Sequence, residues 1–132
     1  MLALGCSHGT GIGFDSSTGF TLPNGAERSP DAAWVKLEKW NRLTPQQQEK
    51  FAPICPDFVV ELRSPSDKLK PLKTKMQEYM NNGALLGLLI DRKKRRVYIY
   101  SPGVSVECLD NPATVSGDPV LPGFVLDLSK IW

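Results

Sequence analysis

The chain contains 132 residues, of which 41% are hydrophobic and 23% are charged, as in an ordinary globular protein. This length suits one domain with one core and is too short for two, so we expect a single domain over residues 1–132. No apolar run approaches the roughly 18 residues that a membrane-spanning helix needs. The 16 Lys and Arg against 14 Asp and Glu give a net charge of +2, which alone says nothing about a nucleic-acid partner.

The cysteines give no sign of a metal site. Cys6, Cys55 and Cys108 are widely spaced, and with the single histidine, His8, they form no pattern typical of zinc binding. Reduced thiols with structural roles in a cytoplasmic protein are therefore expected. His8 has no partner residue in the sequence and is interpreted as a residue of the N-terminal tail.

The first half of the chain alternates short apolar segments with turn residues. A threonine followed by proline is typical of a helix start, because threonine caps the helix and proline fits its first turn. The predicted elements are a strand–turn–strand segment (12–22), a turn (23–25), a strand (32–35), a helix bearing Leu37, Trp40 and Leu43, and a short helix from Thr44 to Phe51.

Residues 56–63 predict a central strand with one apolar face and one partly charged face. Side chains alternate between the two faces of a strand. Charged groups are seldom placed on a central strand unless they are paired or bound to a metal. The core face would comprise Phe58, Val60 and Leu62, and the opposite face Asp57, Val59, Glu61 and Arg63.

The second half predicts one long helix followed by several strands. The helix, residues 67–82, has an apolar stripe, and Gly83 is a good residue to end it. The later elements are a buried strand (85–90), a turn (91–94), a return strand (97–100), a weak strand (104–109), a loop to Gly123 and a short strand (124–126). This order predicts an α/β fold with a mixed β-sheet flanked by helices.

Positive charge is concentrated in two places, the helix lysines Lys68, Lys70, Lys73 and Lys75 and the basic turn Arg92–Arg96. Local basic clusters can bind phosphates even when the whole chain is nearly neutral. The alternative is a solvated helix face and a hairpin tip. Trp34, Trp40 and Trp132 are expected to pack in the core or at a subunit contact rather than to stack on bases.

Three residues have the chemistry and the order that metal-dependent phosphodiester hydrolysis requires. Two carboxylates, Asp31 and Glu61, suit Mg²⁺ or Mn²⁺, which prefer oxygen ligands. Lys75 precedes the apolar Met76, so its ammonium can reach the sheet from the edge of the buried helix face and stabilise charge on the phosphate. The alternatives are a turn aspartate, a Glu61 salt bridge with Arg63 or Lys75, and a solvated lysine.

Asp57 is a second candidate for the aspartate ligand. It shares a strand face with Glu61 and follows a proline, as Asp31 does. Two carboxylates on one ion must approach within about 5 Å of each other, so the distance between the side chains decides between Asp31 and Asp57.

The ordered motifs resemble the Uma2 family, whose members are assigned to endonucleases of the PD-(D/E)XK superfamily with a restriction endonuclease-like fold. The resemblance implies that Asp31 and Glu61 are catalytic metal ligands and that Lys75 is the catalytic lysine, with Arg63 at the strand position where the superfamily usually has lysine. The motifs are PD at 30–31, PDFVVELRSPS at 56–66, KMQEY at 75–79 with Gly83, LLID at 88–91, and LPGF at 121–124 with Trp132.

The resemblance also implies a function, a cofactor and a partner. We expect a Mg²⁺-dependent (or Mn²⁺-dependent) DNA endonuclease that acts as a homodimer in the cytoplasm. The N-terminal helix and hairpin of the family have no counterpart before Gly11, so the domain is interpreted as N-terminally short. The alternative is therefore a truncated, inactive nuclease-like domain that binds nucleic acid or a protein partner.

Overall fold

The structure is a computed structural model that describes residues 11–132. Cys6 and His8 lie outside the described residues. The helices are α1 (Leu37–Asn41), α2 (Pro45–Glu49) and α3 (Leu69–Asn81), with a 3₁₀ helix at Leu128–Lys130. The strands are β1 (Gly11–Asp15), β2 (Phe20–Thr21), β3 (Glu27–Arg28), β4 (Ala32–Lys36), β5 (Phe58–Leu62), β6 (Leu86–Asp91), β7 (Arg96–Tyr100), β8 (Glu107–Asp110), β9 (Thr114–Ser116) and β10 (Val125–Asp127).

A mixed six-stranded sheet in the order β1-β4-β5-β6-β7-β8 forms the centre of the fold. The central pair, β5 and β6, is parallel, and every other neighbouring pair in this sheet is antiparallel. Helix α3 connects the two parallel strands, which need such a crossover because their ends lie at opposite edges. The α/β fold class and the mixed sheet predicted from the sequence are confirmed.

Helix α3 covers one face of the sheet. Its side chains Leu72, Met76 and Tyr79 are buried and pack in one cluster with Val59 of β5 and Leu89 of β6. The helical spacing of its apolar residues therefore has the predicted consequence, a buried stripe against the sheet. Burial of this stripe, rather than helix propensity alone, stabilises a helix of this length.

The C-terminal segment covers the opposite face. Leu121, Leu126 and Leu128 pack against Phe58 and Val60 of β5 in a second cluster. Strands β5 and β6 are consequently buried on both faces, which explains their nearly continuous apolar sequences. The alternation predicted for residues 56–63 is confirmed, because Phe58, Val60 and Leu62 pack in this second cluster and Val59 packs in the first.

Several local predictions are confirmed, with shifts at the ends of elements. Thr44 caps α2, accepting a hydrogen bond from the Gln47 N–H while the Gln47 side chain accepts one from the Thr44 N–H. Helix α3 is shorter than predicted, since residues 64–67 form a turn in which Asp67 accepts from the Ser64 N–H at 3.0 Å. Strand β8 begins only at Glu107. The tail predicted as a loop contains β9, which pairs with β10.

Two further sequence inferences fall within the described residues. Cys55 is buried and Cys108 is exposed, and both are free thiols. Burial raises the pKa of Cys55 to about 11, which keeps this thiol neutral. None of the helices in residues 11–132 has the length and apolar character needed to cross a membrane.

Candidate active site

Three carboxylates are buried within residues 11–132, namely Asp57, Glu61 and Asp91. A buried carboxylate must be paired, hydrogen-bonded or bound to a cation, because removing its charge from water is costly. The partners of these three side chains therefore separate the structural carboxylates from the candidate functional one.

Asp57 has a structural role at the beginning of β5. Its Oδ2 accepts a hydrogen bond from the Lys36 N–H at 2.8 Å, and its Oδ1 lies 3.5 Å from Lys39 Nζ. Asp57 lies four residues before Glu61, a separation of about 13 Å along an extended strand. The structure therefore brings Asp57 to β4 and α1, at the opposite edge of the sheet from the end of β5.

Asp31 lies beside Glu61. Ala32 pairs with Val60 in the antiparallel register of β4 and β5, and continuing that register places Asp31 opposite Glu61. Directly opposed residues of an antiparallel pair share a face of the sheet. The Oδ2 atom of Asp31 accepts a hydrogen bond from the Leu62 N–H at 2.6 Å, which fixes the carboxylate at the end of β5.

Glu61 is only 4% exposed and has two partners on α3. Its Oε2 accepts a hydrogen bond from the Tyr79 hydroxyl at 2.8 Å, and its Oε1 lies 3.6 Å from Lys75 Nζ. Burial raises the pKa of Glu61 to about 7, against the charge of Lys75 and the Tyr79 hydrogen bond, which both lower it, while the Asp31 charge raises it further.

Tyr79 is fully buried and donates its only hydroxyl proton to Glu61. Burial raises the pKa of Tyr79, and the neighbouring Glu61 carboxylate raises it further, so the phenol remains a donor. The sequence interpretation treated Tyr79 only as part of the apolar stripe. A signal for its second role was present, because Lys75 and Tyr79 are four residues apart and share a helix face.

Arg63 pairs with Asp91 and not with Glu61, the partner considered in the sequence. Its Nη1 lies 2.9 Å from Asp91 Oδ2 at the end of β6. Asp91 also accepts from the N–H groups of Lys93 and Lys94, at 3.1 and 3.2 Å. Asp91 was missed as a structural residue because the parallel register of β5 and β6, which brings it beside Arg63, is not visible in the sequence.

The basic turn Arg92–Arg96 follows β6 and therefore lies at the same edge of the sheet as Glu61, near the end of β5. Of the helix lysines, Lys75 reaches Glu61, and Lys73 Nζ lies 4.4 Å from the centre of the Tyr98 ring. Lys68 and Lys70 are exposed. Lys75 and the basic turn thus lie at the same edge of the sheet as the carboxylate pair, whereas Lys73 contacts an aromatic ring instead.

Each carboxylate of the Asp31–Glu61 pair has one oxygen anchored by a hydrogen bond, from the Leu62 N–H or from the Tyr79 hydroxyl. Among the described residues, the other oxygen of Asp31 has no hydrogen-bond donor, and the other oxygen of Glu61 forms an ion pair with Lys75. No group of three or more His, Cys, Asp or Glu within residues 11–132 is arranged to hold a metal ion. A pair of carboxylates nevertheless suits Mg²⁺, which retains several waters and needs only one or two protein carboxylates.

Comparisons with known proteins agree with the fold. A comparison with curated proteins found no match. Among solved structures, the chain is similar to a protein from Anabaena variabilis ATCC 29413 described as a "putative nuclease belonging to DUF820". The two share 19% sequence identity with a TM-score of 0.76, over 92% of this chain and 68% of that one. The family model described as "Uma2: Putative restriction endonuclease" matches residues 3–129, and the chain therefore belongs to the Uma2 family, as its motifs indicated.

Proposed function

We propose that this protein is a Mg²⁺-dependent endonuclease that hydrolyses phosphodiester bonds in DNA. The observation that carries the proposal is the meeting of Asp31, Glu61 and Lys75 at one edge of the sheet, from three separate parts of the chain. Membership of the family described as "Putative restriction endonuclease" supports this reaction class. The paired carboxylates and the lysine supply the groups that this reaction needs.

Asp31 and Glu61 would hold the divalent ion through the carboxylate oxygens that have no backbone or tyrosine donor. The burial of Glu61 supports this role, because a partly desolvated carboxylate gains more from a nearby cation than an exposed one does. When bound, the ion would polarise the phosphate and activate water. The Leu62 N–H and the Tyr79 hydroxyl hold the two carboxylates in fixed orientations beforehand.

Lys75 would stabilise negative charge that develops on the phosphate. Its ammonium is held at the carboxylate pair by Glu61, and its side chain is 35% exposed, so an incoming phosphate can reach it. Charge stabilisation by a preorganised cation is among the largest contributions to phosphoryl-transfer catalysis. The basic turn Arg92–Arg96 would bind phosphates on either side of the reacting one. The enzyme is further proposed to act as a closed homodimer.

A cleavage assay tests the proposal. Supercoiled and single-stranded DNA are each incubated with the protein and with Mg²⁺, Mn²⁺ or a chelator. We expect cleavage only with a divalent ion, and we expect Glu61→Ala to abolish it while circular dichroism still reports a folded domain. Glu49→Ala is the matched control, since Glu49 is an exposed glutamate on α2.

The same assay distinguishes the binding-only alternative. A protein that binds DNA with a steep dependence on salt, but neither binds Mn²⁺ nor cuts, would contradict the nuclease proposal and support a nucleic-acid-binding domain. Cleavage that persists undiminished in Glu61→Ala would contradict the assignment of the site. Light scattering of the purified protein tests the homodimer independently.

A further inference from the structure

A cavity of about 400 Å³ lies at the edge of the sheet where β5 and β6 end, and it is lined by Arg63, Ser64, Pro65, Arg92, Lys93 and Trp132. The carboxyl ends of parallel strands commonly form ligand-binding crevices. Arg63 is two residues after Glu61 on the same chain segment, so the cavity adjoins the carboxylate pair. It is nevertheless a separate feature, because Asp31, Glu61 and Lys75 do not line it.

The charged side chains that line this cavity are all positive. Arg63 forms an ion pair with Asp91, whose Oδ2 lies 2.9 Å from Arg63 Nη1. Arg92 donates from Nε to the Ile131 carbonyl at 2.9 Å, which holds the guanidinium in place without neutralising it. Within residues 11–132, neither Arg92 nor Lys93 has a carboxylate within 4.0 Å. A cavity with two uncompensated cations and no acidic side chain suits an anion, and a phosphate matches the donor geometry of arginine.

Trp132 adds an aromatic surface to this cationic cavity. Its indole Nε1 donates to the Pro112 carbonyl at 3.3 Å, and its ring packs against the second core cluster. The ring is half-buried, in agreement with the expected core contact, and it also lines the cavity. A ring held by a hydrogen bond and by packing loses little freedom when a planar ligand stacks on it. An aromatic plane beside cations is the combination that nucleotides require.

We propose that this cavity binds an unpaired nucleotide of the nucleic-acid strand, with its phosphate at Arg92 and Lys93 and its base stacked on Trp132. This inference rests on the proposed nuclease function and adds a substrate class to it. A base inside a duplex cannot stack on a protein side chain, so the strand is single-stranded, frayed or locally opened at this position.

The test measures binding in the absence of any divalent ion, so that it does not depend on cleavage. A short fluorescent single-stranded DNA and an abasic strand of the same length are titrated with the protein in a chelating buffer, and anisotropy is recorded. We expect the strand with bases to bind about tenfold more tightly than the abasic strand. Equal affinity of the wild-type protein for the two strands would overturn the proposal.

Variants then separate the two halves of the cavity. Trp132→Leu should abolish the preference for bases and leave abasic binding unchanged. If the leucine variant does not fold, Trp132→Phe is measured in its place and should keep part of the preference. Lys93→Ala should weaken both strands and lower the salt dependence by about one phosphate contact. Lys50→Ala is the matched control, because Lys50 is an exposed lysine after α2 that lies outside both the cavity and the basic turn. Equal effects of Lys93→Ala and Lys50→Ala would also contradict the proposal.

The outcomes distinguish this inference from the nuclease proposal. Base-dependent binding without cleavage under any metal condition would leave the cavity assignment standing and remove the nuclease function. Metal-dependent cleavage with no effect of Trp132→Leu or Lys93→Ala on binding would leave the nuclease function standing and remove the cavity assignment.

Discussion

Lys75 Nζ lies 3.6 Å from Glu61 Oε1, a contact that joins helix α3 to strand β5. The strand position two residues after Glu61 holds Arg63, whose guanidinium is paired with Asp91. Helix α3 therefore supplies the lysine that contacts Glu61, because β5 itself has no lysine at that position. Lys75 is thus the cation of the proposed site, and Arg63 pairs with Asp91 at the edge of the sheet.

Replacing Lys75 should impair cleavage far more than folding. We expect Lys75→Met to lower kcat about 100-fold to 1,000-fold, because a preorganised cation at the reacting phosphate is lost. The unbranched methionine side chain should preserve the packing of the lysine methylene groups along the helix. Steady-state cleavage of supercoiled DNA measures the loss, with Lys70→Met, an exposed lysine on the same helix, as the control. Equal rates for the Lys70 and Lys75 variants would remove Lys75 from the mechanism.

Tyr79 should act by positioning Glu61. Tyr79→Phe removes the 2.8 Å hydrogen bond to Oε2 and leaves the buried ring in place. We expect affinity for Mn²⁺ to fall about tenfold, as is usual when a residue that orients a metal ligand is lost. Tyr100→Phe is the control, since Tyr100 is buried in the same cluster. Calorimetric titration distinguishes the two, and unchanged affinity in Tyr79→Phe would show that the hydrogen bond has no positioning role.

The metal-free protein should lose stability as pH rises. Folded Glu61 retains its proton up to a pKa of about 7, whereas an unfolded glutamate loses it near 4.5. Between these values the unfolded chain binds fewer protons, so the free energy of unfolding falls with increasing pH. The total change is at most about 3–4 kcal/mol, since each pKa unit corresponds to about 1.4 kcal/mol.

Comparison with Glu61→Gln isolates this contribution from those of other titrating groups. Urea unfolding is followed at several pH values in a chelating buffer, and the stability of the wild-type protein is expressed relative to the variant. We expect the difference to decline between about pH 4.5 and 7 and to be constant above that range. A difference that does not vary with pH would contradict the raised pKa.

Asp57 should matter for stability and not for metal binding. Asp57→Asn weakens the hydrogen bond to the Lys36 N–H and removes the ion pair with Lys39, so we expect a loss of about 1–2 kcal/mol in the free energy of unfolding. Mn²⁺ affinity should be unchanged, because Asp57 lies at the opposite end of β5. Thermal unfolding and metal titration of the same preparation check both parts. If Asp57→Asn is as stable as the wild-type protein but fails to bind Mn²⁺, Asp57 is a metal ligand and does not have the structural role assigned to it.

Local patterns in the sequence predicted most of the elements and the faces on which Glu61 and Lys75 lie. Alternation along residues 56–63 placed Glu61 on a face that also holds buried Val59, and the apolar stripe of α3 placed Lys75 at its edge. These inferences succeed because side-chain periodicity depends only on neighbouring residues. The choice between Asp31 and Asp57 required the pairing of β4 with β5, a contact between residues distant in the sequence.

Other parts of the site depend on long-range register and were not predicted. The Arg63–Asp91 pair follows from the parallel alignment of β5 and β6. The cavity at Trp132 exists because the C-terminal segment returns across the second face of the sheet. Strand β9 is only three residues long and has a single buried side chain, so it has no periodic pattern that sequence alone could reveal.

The measurement that tests the central claim most directly is a calorimetric titration of Mn²⁺ into the wild-type protein, Asp31→Asn, Glu61→Gln and Asp57→Asn. The account predicts about one ion per chain for the wild-type protein and for Asp57→Asn, with binding lost or weakened at least tenfold in Asp31→Asn and Glu61→Gln. Wild-type-like binding by both Asp31→Asn and Glu61→Gln would contradict the claim that these two carboxylates form the metal site.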